Sequence, residues 1–134
     1  MKLARDIMTK NPIVLVRRDT IKKAIAVLVA ECISGAPVVD EATGKMVGLV
    51  SEYDLILAIH SVGSGVDVAD AMKQKVMSVS ETTPVEDVAD LMLVHKIRRV
   101  PVLDEQGRPS GMISRREILK SYYADIEQKG AARD

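Results

Sequence analysis

The chain contains an internal repeat with a period of about 64 residues. Three motifs return in the same order: Asp-x-Met at residues 6–8 and 70–72, Pro-Val-x-Asp-Glu at residues 37–41 and 101–105, and Gly-x-x-Ser at residues 48–51 and 111–114. The offset falls by one after Glu105, because residues 41–44 hold one residue more than their second copy. Surface turns tolerate such changes of length. The repeat therefore predicts two tandem copies of one unit, related by a pseudo-twofold axis and carrying equivalent clefts for binding.

Length and composition limit how the two copies can fold. With 134 residues, the chain is long enough for one compact domain and short for two independent ones. Each copy alone is near the size at which a core becomes marginal, so we expect the copies to pack together. Residues are 47% apolar but only 2% aromatic, which predicts an aliphatic core. We divide the sequence into a first repeat at 1–62, a linker at 63–66 and a second repeat at 67–134, together one compact module.

Charge and cysteine content exclude several classes of protein. The formal net charge is zero, which argues against a general nucleic-acid binder, because such proteins need surplus Lys and Arg. A single Cys excludes an internal disulfide framework and fits a reducing compartment. The sequence shows neither a secretory leader nor an apolar run of the roughly 20 residues that span a bilayer. We expect a soluble cytoplasmic protein that does not bind membranes.

The first copy predicts alternating helices and strands. The predicted elements are a short helix over residues 3–9, a strand over 13–16, a helix with Asp19 as N-cap and a stop at Ser34 and Gly35, hairpin strands over 36–40 and 45–50, and a helix that Ser51 caps and that ends near His60. Cys32 falls on the apolar face of the first long helix, so we expect it in the core.

The second copy repeats this plan. Thr83 is the predicted N-cap of its long helix, with Pro84 at the first helical position and Glu86 completing a capping box. The buried stripe of this helix is predicted to be Val85, Val88, Ala89 and Met92. Hairpin strands are predicted over residues 100–104 and 110–113, followed by a helix from about Arg115 towards Ile126 and a fraying polar tail at 128–134.

Several single residues have more than one interpretation. Gly48 and Gly111 predict close packing of the sheet against a ligand or a helix. Tyr122 and Tyr123 predict either a dimer contact or ordinary burial of the last helix. The two histidines are far apart in sequence, and no His-x-x-x-His or Cys-x-x-Cys spacing predicts a metal site.

The repeated, ordered set of motifs resembles a tandem pair of CBS domains, the domains named after cystathionine β-synthase, over roughly residues 3–60 and 67–124. The resemblance implies an α+β fold in which each half has a three-stranded sheet and two helices. It implies two pseudo-twofold-related β-α-β-β-α repeats packed sheet to sheet. It also implies that two chains pair into a flat homodimeric disc of four repeats, and we expect a stand-alone pair.

The same resemblance implies a regulatory function. The family typically senses adenine-containing molecules such as AMP, ADP, ATP, S-adenosylmethionine or NAD, and it controls an attached or partner protein. This chain is accordingly expected to be an energy-sensing module for an unknown effector protein. No cofactor is expected beyond the regulatory nucleotide, and no catalytic residue is assigned.

The first copy has the ribose-binding form of the family at residues 48–54. Asp54 offers two acceptor oxygens suited to the 2′- and 3′-hydroxyls of a ribose. Ser51 lies beside it at a helix start that favours a nearby anion. A serine with a carboxylate three residues later is also an ordinary capping arrangement, worth roughly 1 kcal/mol of helix stability, and both interpretations stay open.

The second copy departs from this pattern. Glu117 stands three residues after Ser114 where the family prefers Asp, which puts the ribose site of this copy in doubt. Arg98 and Arg99 stand just before the Pro-Val-x-Asp-Glu motif at residues 101–105. Members of the family often hold phosphate with a basic residue at this place, and guanidinium groups bind phosphate oxygens in bidentate pairs.

The equivalent stretch of the first copy is uncharged and comprises Ser34, Gly35, Ala36 and Pro37. The better ribose residue and the better phosphate residues therefore lie in different copies. This asymmetry predicts two unequal sites, or phosphate contacts shared across a dimer centre.

In the family the adenine lies against the first strand of the opposite copy. The resemblance thus implies that residues around Met77 face the Asp54 cleft, and that residues around Ile13 face the Glu117 cleft. Met77 could pack on a purine, because methionine is polarizable and adapts its shape, but a core position is an equally good interpretation.

Two other classes of function remain as alternatives. The first is a structural, dimerisation or partner-docking module with degenerate nucleotide sites, which Glu117 and the uncharged Ser34 and Gly35 favour modestly. The second is an enzyme, which we rank well below because the sequence assembles no nucleophile, base and orienting group. Binding of nucleic acid is a minor option that the balanced charge does not support.

Overall fold

The computed structural model describes the backbone of residues 1–133 and the side chains of residues 1–130. These residues form six helices and seven strands, which confirms the α+β class. In chain order the elements are α1 (Ala4–Ile7), β1 (Thr9–Lys10), β2 (Leu15–Val16), α2 (Ile21–Glu31), β3 (Gly35–Val39), β4 (Met46–Ser51), α3 (Glu52–Ser61), α4 (Val68–Ala71), β5 (Val79–Ser80), α5 (Val85–His95), β6 (Arg99–Leu103), β7 (Pro109–Ser114) and α6 (Arg115–Arg133).

The chain divides into two compact units. Unit A comprises residues 12–76 and 106–109, and unit B comprises residues 1–11, 77–105 and the described residues from 110 onward. The units do not coincide with the two sequence repeats, because each unit contains the opening segment of the other repeat. The short helix α1 belongs to unit B, and its second copy α4 belongs to unit A.

Unit A has a three-stranded sheet in the order β2-β3-β4. Strands β2 and β3 are parallel, with Leu15 opposite Val38, whereas β3 and β4 form an antiparallel hairpin with Gly35 opposite Ser51. The hydrophobic core is aliphatic, as the composition predicts, and its buried members are Leu15, Ile21, Ala24, Leu28, Ala36, Val38, Val50, Leu55, Ala58 and Val68.

Unit B repeats this arrangement with one added edge strand. Its sheet has the order β1-β7-β6-β5, with β5 parallel to β6 and β1 antiparallel to β7. The predicted stripe of α5 is confirmed, since Val85, Val88, Ala89 and Met92 are all buried. Ala4 of α1 is completely buried in this core, and its backbone amide donates to Thr83 O at 2.7 Å.

Both glycines make the predicted close contact. In each case the neighbour belongs to the opening segment of the other sequence repeat. A Cβ atom placed on Gly48 would lie 2.6 Å from Met72 Sδ and 2.7 Å from Lys73 O. A Cβ atom placed on Gly111 would collide with the side chain of Met8. Only a residue without a side chain allows the segment after α4, or after α1, to approach the sheet this closely.

The predicted N-caps of α2 and α5 are wrong by one residue. Thr20 caps α2 by accepting a hydrogen bond from Lys23 N, while Asp19 accepts from Val16 N and so closes the preceding turn. Pro84 is the N-cap of α5, and Thr83 Oγ1 accepts from Ser80 N instead of capping the helix. In both cases the side-chain oxygen accepts a hydrogen bond from a backbone amide of the preceding turn instead of from an amide of the helix.

The end of α2 is also different from the prediction. The helix ends at Glu31, and Cys32 follows in the left-handed region with a φ of 54°. This position turns Cys32 away from the apolar face and leaves it exposed, so its predicted core position is wrong. Helix α2 therefore ends before the predicted stop at Ser34 and Gly35.

The remaining elements differ from the prediction mainly in length. The predicted helix over 3–9 ends at Ile7 and gives way to β1, and the strand over 13–16 is reduced to β2. Helix α6 continues through the predicted fraying tail to Arg133, and Asp134 lies outside the described residues. Both hairpins are confirmed to within two residues, and Ser51 caps α3 as predicted.

Candidate functional site: two matched helix-start carboxylates

Asp54 of unit A is held in a capping box at the start of α3. Its Oδ2 accepts hydrogen bonds from Ser51 N and Ser51 Oγ, both at 2.9 Å, while Asp54 N donates to Ser51 Oγ at 3.3 Å. The side chain is one of the few buried polar groups, with 6% exposure. Both donors reach the same carboxylate oxygen, so the cap occupies only half of the acceptor capacity of Asp54.

The second oxygen, Asp54 Oδ1, accepts no hydrogen bond from any residue that the structure describes. Within the same residues, no fully buried side-chain oxygen or nitrogen lacks a partner. Asp54 Oδ1 therefore retains contact with the surface. A carboxylate oxygen that is fixed by its neighbour and open on one side can accept a hydrogen bond from a ligand hydroxyl.

The start of β3 lies directly beside this capping box. Gly35 is opposite Ser51 in the hairpin, and Ser34 O accepts a hydrogen bond from Glu52 N at 3.0 Å. The structure thus brings Ser34, Gly35, Ser51 and Asp54 together. Ala36 and Pro37 follow on the same strand but bury their side chains in unit A.

Unit B has the same arrangement with a longer acid. Glu117 Oε1 accepts from Ser114 N at 2.7 Å and from Ser114 Oγ at 2.8 Å. Arg98 O accepts from Arg115 N at 3.2 Å, just as Ser34 O accepts from Glu52 N in unit A. The additional methylene group of Glu117 does not prevent the contact with Ser114, and the ribose site of this copy stays a prediction.

The two arginines of unit B lie at the same helix start. Arg98 is exposed, and its carbonyl group is bonded to the first residue of α6. Arg99 is half-buried, begins β6 and has an interaction partner. Unit B therefore combines a helix start, a carboxylate and guanidinium groups, whereas the equivalent residues of unit A, Ser34 and Gly35, are uncharged.

Met77 and Ile13 occupy equivalent positions two residues before β5 and β2. They are 40% and 36% exposed, so neither is a core residue, and the core interpretation of Met77 is wrong. Met77 belongs to unit B and Asp54 to unit A, while Ile13 belongs to unit A and Glu117 to unit B. The expectation that each faces the carboxylate of the other copy stays a prediction.

The aspartate of the repeated Pro-Val-x-Asp motif has a role that the sequence analysis did not assign. Asp40 Oδ1 accepts hydrogen bonds from Ala42 N and Thr43 N at 2.9 and 3.0 Å, and Asp40 Oδ2 pairs with Arg17. The backbone amides of Thr43 and Ala42 hold the pKa of this carboxyl below its usual range; loss of hydration opposes them, and Arg17 adds a smaller lowering effect. Asp40 thus organises the β3-β4 turn, whereas Asp54 lies beyond the other end of β3.

A family model described as the CBS domain matches residues 4–61 and residues 68–124. The chain therefore belongs to the CBS domain family and contains two copies of the domain. No helix in the described part of the chain has both the length and the apolar character that a membrane crossing requires.

Two curated relatives show where similar domains occur. Inosine-5′-monophosphate dehydrogenase of Methanocaldococcus jannaschii is 33% identical over 120 residues, which cover 90% of this chain and 23% of the dehydrogenase. The chloroplastic CBS domain-containing protein CBSX1 of Arabidopsis thaliana is 36% identical over 132 residues, with 76% of this chain and 55% of that protein covered. The chain thus spans about a quarter to about half of the length of these relatives.

Solved structures agree in fold over nearly the whole chain. CBSX2 from Arabidopsis thaliana in complex with AMP has a TM-score of 0.82 and 29% identity, covering 94% of this chain and 99% of that chain. The CBS domain pair of protein MJ0100, in complex with 5′-methylthioadenosine and S-adenosyl-L-methionine, has a TM-score of 0.83 and 29% identity, covering 93% and 98% of the two chains. The predicted CBS-pair fold is confirmed.

Proposed function

We propose that this chain is a regulatory module that binds adenine-containing nucleotides and controls a partner protein in the cytoplasm. The observation that carries the proposal is the open oxygen of Asp54, since the other oxygen is fixed by Ser51. Support comes from the CBS pairs of similar fold, whose ligands are AMP, 5′-methylthioadenosine and S-adenosyl-L-methionine. All three ligands share an adenosine-type ribose with two adjacent hydroxyl groups.

The geometry of the capping box supports a ribose contact in unit A. Asp54 Oδ1 accepts a hydrogen bond from a ribose hydroxyl, and the cap holds the carboxylate in one orientation before the ligand arrives. Preorganisation of this kind reduces the entropy lost on binding. Ser34 and Gly35, which are both uncharged, lie next to this contact.

The phosphate contact is assigned to unit B. Arg98 is exposed beside the first turn of α6, where backbone amides and the helix dipole favour an anion. Arg98 with Arg99 supplies positive charge that Ser34 and Gly35 of unit A do not have. Ligands that carry phosphate are therefore expected to prefer the site that contains Arg98, and Glu117 serves there as the ribose acceptor.

A structural or partner-docking module is the second candidate function. The observation in its favour is that Ser51 and Asp54 already form a complete capping box without a ligand, and that Glu117 already accepts from the amide and the hydroxyl of Ser114. Helix capping alone is thus a sufficient reason for these residues to be present. We rank an enzyme below both of these candidates. The ligands to compare are AMP, ADP, ATP, S-adenosylmethionine and NAD.

The test is calorimetric titration of the purified chain with each of these five compounds, repeated with Asp54→Asn. Asparagine keeps one oxygen for the cap but replaces the other by an NH₂ group, which removes the charged acceptor. A hydrogen bond to a charged group is worth about 1.5–3 kcal/mol, so we expect binding to weaken roughly 10- to 100-fold.

The matched control is Thr20→Ala, which removes a helix cap from α2 instead of α3. It should lower the unfolding midpoint without changing the dissociation constant. Equal binding by the native chain and Asp54→Asn would remove Asp54 from the site. Failure of all five compounds to bind the native chain would reject the sensor in favour of the docking module.

A further inference from the structure

A cavity of about 360 Å³ opens in unit B beside the first turn of α5. The opening residues of the chain, the start of α5 and one side of α6 form its walls. The polar side chains that line it are Lys2, Glu86, Ser121, Tyr122 and Asp125. Its volume lies within the range of about 300–1,000 Å³ that is typical of ligand pockets, and the nucleotide contacts proposed above do not involve it.

The cavity lies where α6 continues although its copy in unit A turns back. Helix α3 ends at Ser61, and Gly63 follows with a φ of 95°, so that residues 62–66 return towards the start of α2. The residue equivalent to Gly63 is Ile126, which has a Cβ atom and remains helical. Among the described residues, unit B therefore has no returning segment beside the start of its long helix.

In unit A, the returning segment supplies hydrogen-bond acceptors to the first turn of α2. Ile21 N donates to Val66 O at 2.9 Å, and Lys22 N donates to Ser64 O at 3.2 Å. Backbone amides in the first turn of a helix have no acceptor within the helix, so these carbonyl groups satisfy donors that the helix leaves open.

In unit B, only the first of these two hydrogen bonds has an equivalent. Val85 N donates to Lys2 O at 3.1 Å, as Ile21 N does to Val66 O in unit A. Glu86 N, the equivalent of Lys22 N, donates to no acceptor in the part of the chain that the structure describes. The cavity thus contains a backbone donor at the place where a polypeptide carbonyl group is bound in unit A.

The side chains around the cavity carry an unbalanced negative charge. Lys2 Nζ pairs with Asp125 Oδ1 at 3.1 Å and donates to the buried Ser121 Oγ at 3.3 Å. Glu86 is exposed, and its carboxylate has neither an ion pair nor a hydrogen bond within the described residues. Tyr122 is 39% exposed, so ordinary burial of this residue is wrong, and it adds an aromatic group to the lining. A basic side chain in the cavity meets the carboxylate of Glu86.

We infer that this cavity binds a short extended segment of a partner protein, as unit A binds its own residues 62–66. One carbonyl group of the partner segment accepts from Glu86 N, and small residues match the Gly-Ser-Gly sequence of the returning segment. A Lys or Arg side chain of the same segment pairs with the Glu86 carboxylate. The inference goes beyond nucleotide binding and is tested without nucleotide, so its failure is distinguishable from failure of the proposed function.

The test is a titration of the isotope-labelled chain with two hexapeptides, followed through the chemical shifts of the backbone amides. The first peptide has the sequence of residues 61–66, and the second carries Ser64→Arg. We expect both to bind in the millimolar range and to shift the amide resonance of Glu86. The arginine peptide should bind about two- to fivefold more tightly, as expected for an exposed ion pair. The amide of Lys22 should not shift, because its acceptor is already present.

Two variants separate the role of Glu86 from a general effect of charge. Glu86→Gln keeps the backbone amide and removes the carboxylate, so the two peptides should bind this variant equally well. Asp87→Asn makes the same change in charge at the adjacent exposed residue, which does not line the cavity, and should keep the preference for the arginine peptide. Circular dichroism melting checks that both variants are folded.

Three results would overturn the inference. A Glu86 amide that neither peptide shifts at millimolar concentration would exclude a bound segment. A preference for the arginine peptide that persists in Glu86→Gln would show that Glu86 does not recognise the basic side chain. Free arginine that shifts the same amides as strongly as the arginine peptide would assign the cavity to a small cation.

Discussion

Asp54 and Glu117 reach equivalent donors although their side chains differ by one methylene group. Each acid uses one oxygen to accept from the backbone amide and the hydroxyl of a serine three residues earlier. The longer side chain of Glu117 has one more torsion and reaches Ser114 by adjusting it. At the scale of the residue, helix capping therefore uses one oxygen of each carboxylate and leaves the other for the ribose contact that we propose.

Asp40 gives a prediction of pH dependence. Because its pKa is lower in the folded chain than in the unfolded chain, the ionised carboxylate stabilises the fold. This contribution is fully present above the ordinary pKa of an aspartate in the unfolded chain, and it is lost as the pH falls through the lower folded-state pKa. Asp40→Asn should therefore be less stable than the native chain at pH 7 and equally stable at low pH.

Urea unfolding at a series of pH values measures this difference. The control is Asp87→Asn, an exposed acid in the first turn of α5, which should show a smaller difference across the series. If the difference in unfolding free energy between the native chain and Asp40→Asn stays constant from pH 7 to pH 2, the charge of Asp40 does not stabilise the turn.

At the scale of the element, the two long helices end in the same strained way. Cys32 after α2 and Lys96 after α5 have φ angles of 54° and 55°, in the left-handed region that disfavours residues with a Cβ atom. The backbone accepts this conformation because the next amide, on Ile33 or Ile97, bonds back to Leu28 O or Met92 O. Each helix therefore stops where the following strand needs to begin.

Relief of this strain is the expected effect of Cys32→Gly. Glycine adopts the left-handed region without a steric penalty, so the free energy of unfolding should rise by about 0.5–1 kcal/mol. Chemical denaturation measures the change, and Cys32→Ala is the control, because it removes the thiol but keeps the Cβ atom. A Cys32→Gly chain no more stable than Cys32→Ala would show that the strain at this helix end is negligible.

At the scale of the whole molecule, each compact unit is completed by a segment from the other sequence repeat. Helix α4 begins the second repeat but contributes Val68, which is completely buried, to the core of unit A. Helix α1 begins the first repeat but contributes Ala4 to the core of unit B. Neither repeat taken alone contains a complete core.

Val68→Ala tests this exchange. Removal of two buried methyl groups should destabilise the chain by roughly 1–3 kcal/mol, and hydrogen exchange should accelerate first in β3, β4 and α2 of unit A. Val88→Ala, which removes the same groups from the core of unit B, is the matched control and should first affect β6, β7 and α5. Faster exchange confined to unit B in Val68→Ala would contradict the assignment of α4 to unit A.

Most of the local structure could be predicted from the sequence, because it depends on neighbours along the chain. The Ser51 cap and the Gly-containing turns predict α3 and both hairpins to within two residues, and the spacing of Val85, Val88, Ala89 and Met92 predicts the buried side of α5. Prediction was less successful at the ends of helices. Asp19 and Thr83 each have two backbone amides within reach, and the sequence does not show which amide is bonded.

The sequence by itself determined the repeat, the family and the residues of the two helix-start carboxylates, since these depend on the order of residue types. Only the tertiary structure decided which core receives α1 and α4, which oxygen of Asp54 stays open, and which apolar side chains stay exposed. The physical reason is that burial and hydrogen-bond partners depend on contacts between residues far apart in sequence. Gly48 and Gly111 illustrate this difference: the sequence predicts a close approach at each glycine, and only the fold shows that Met72 and Met8 make it.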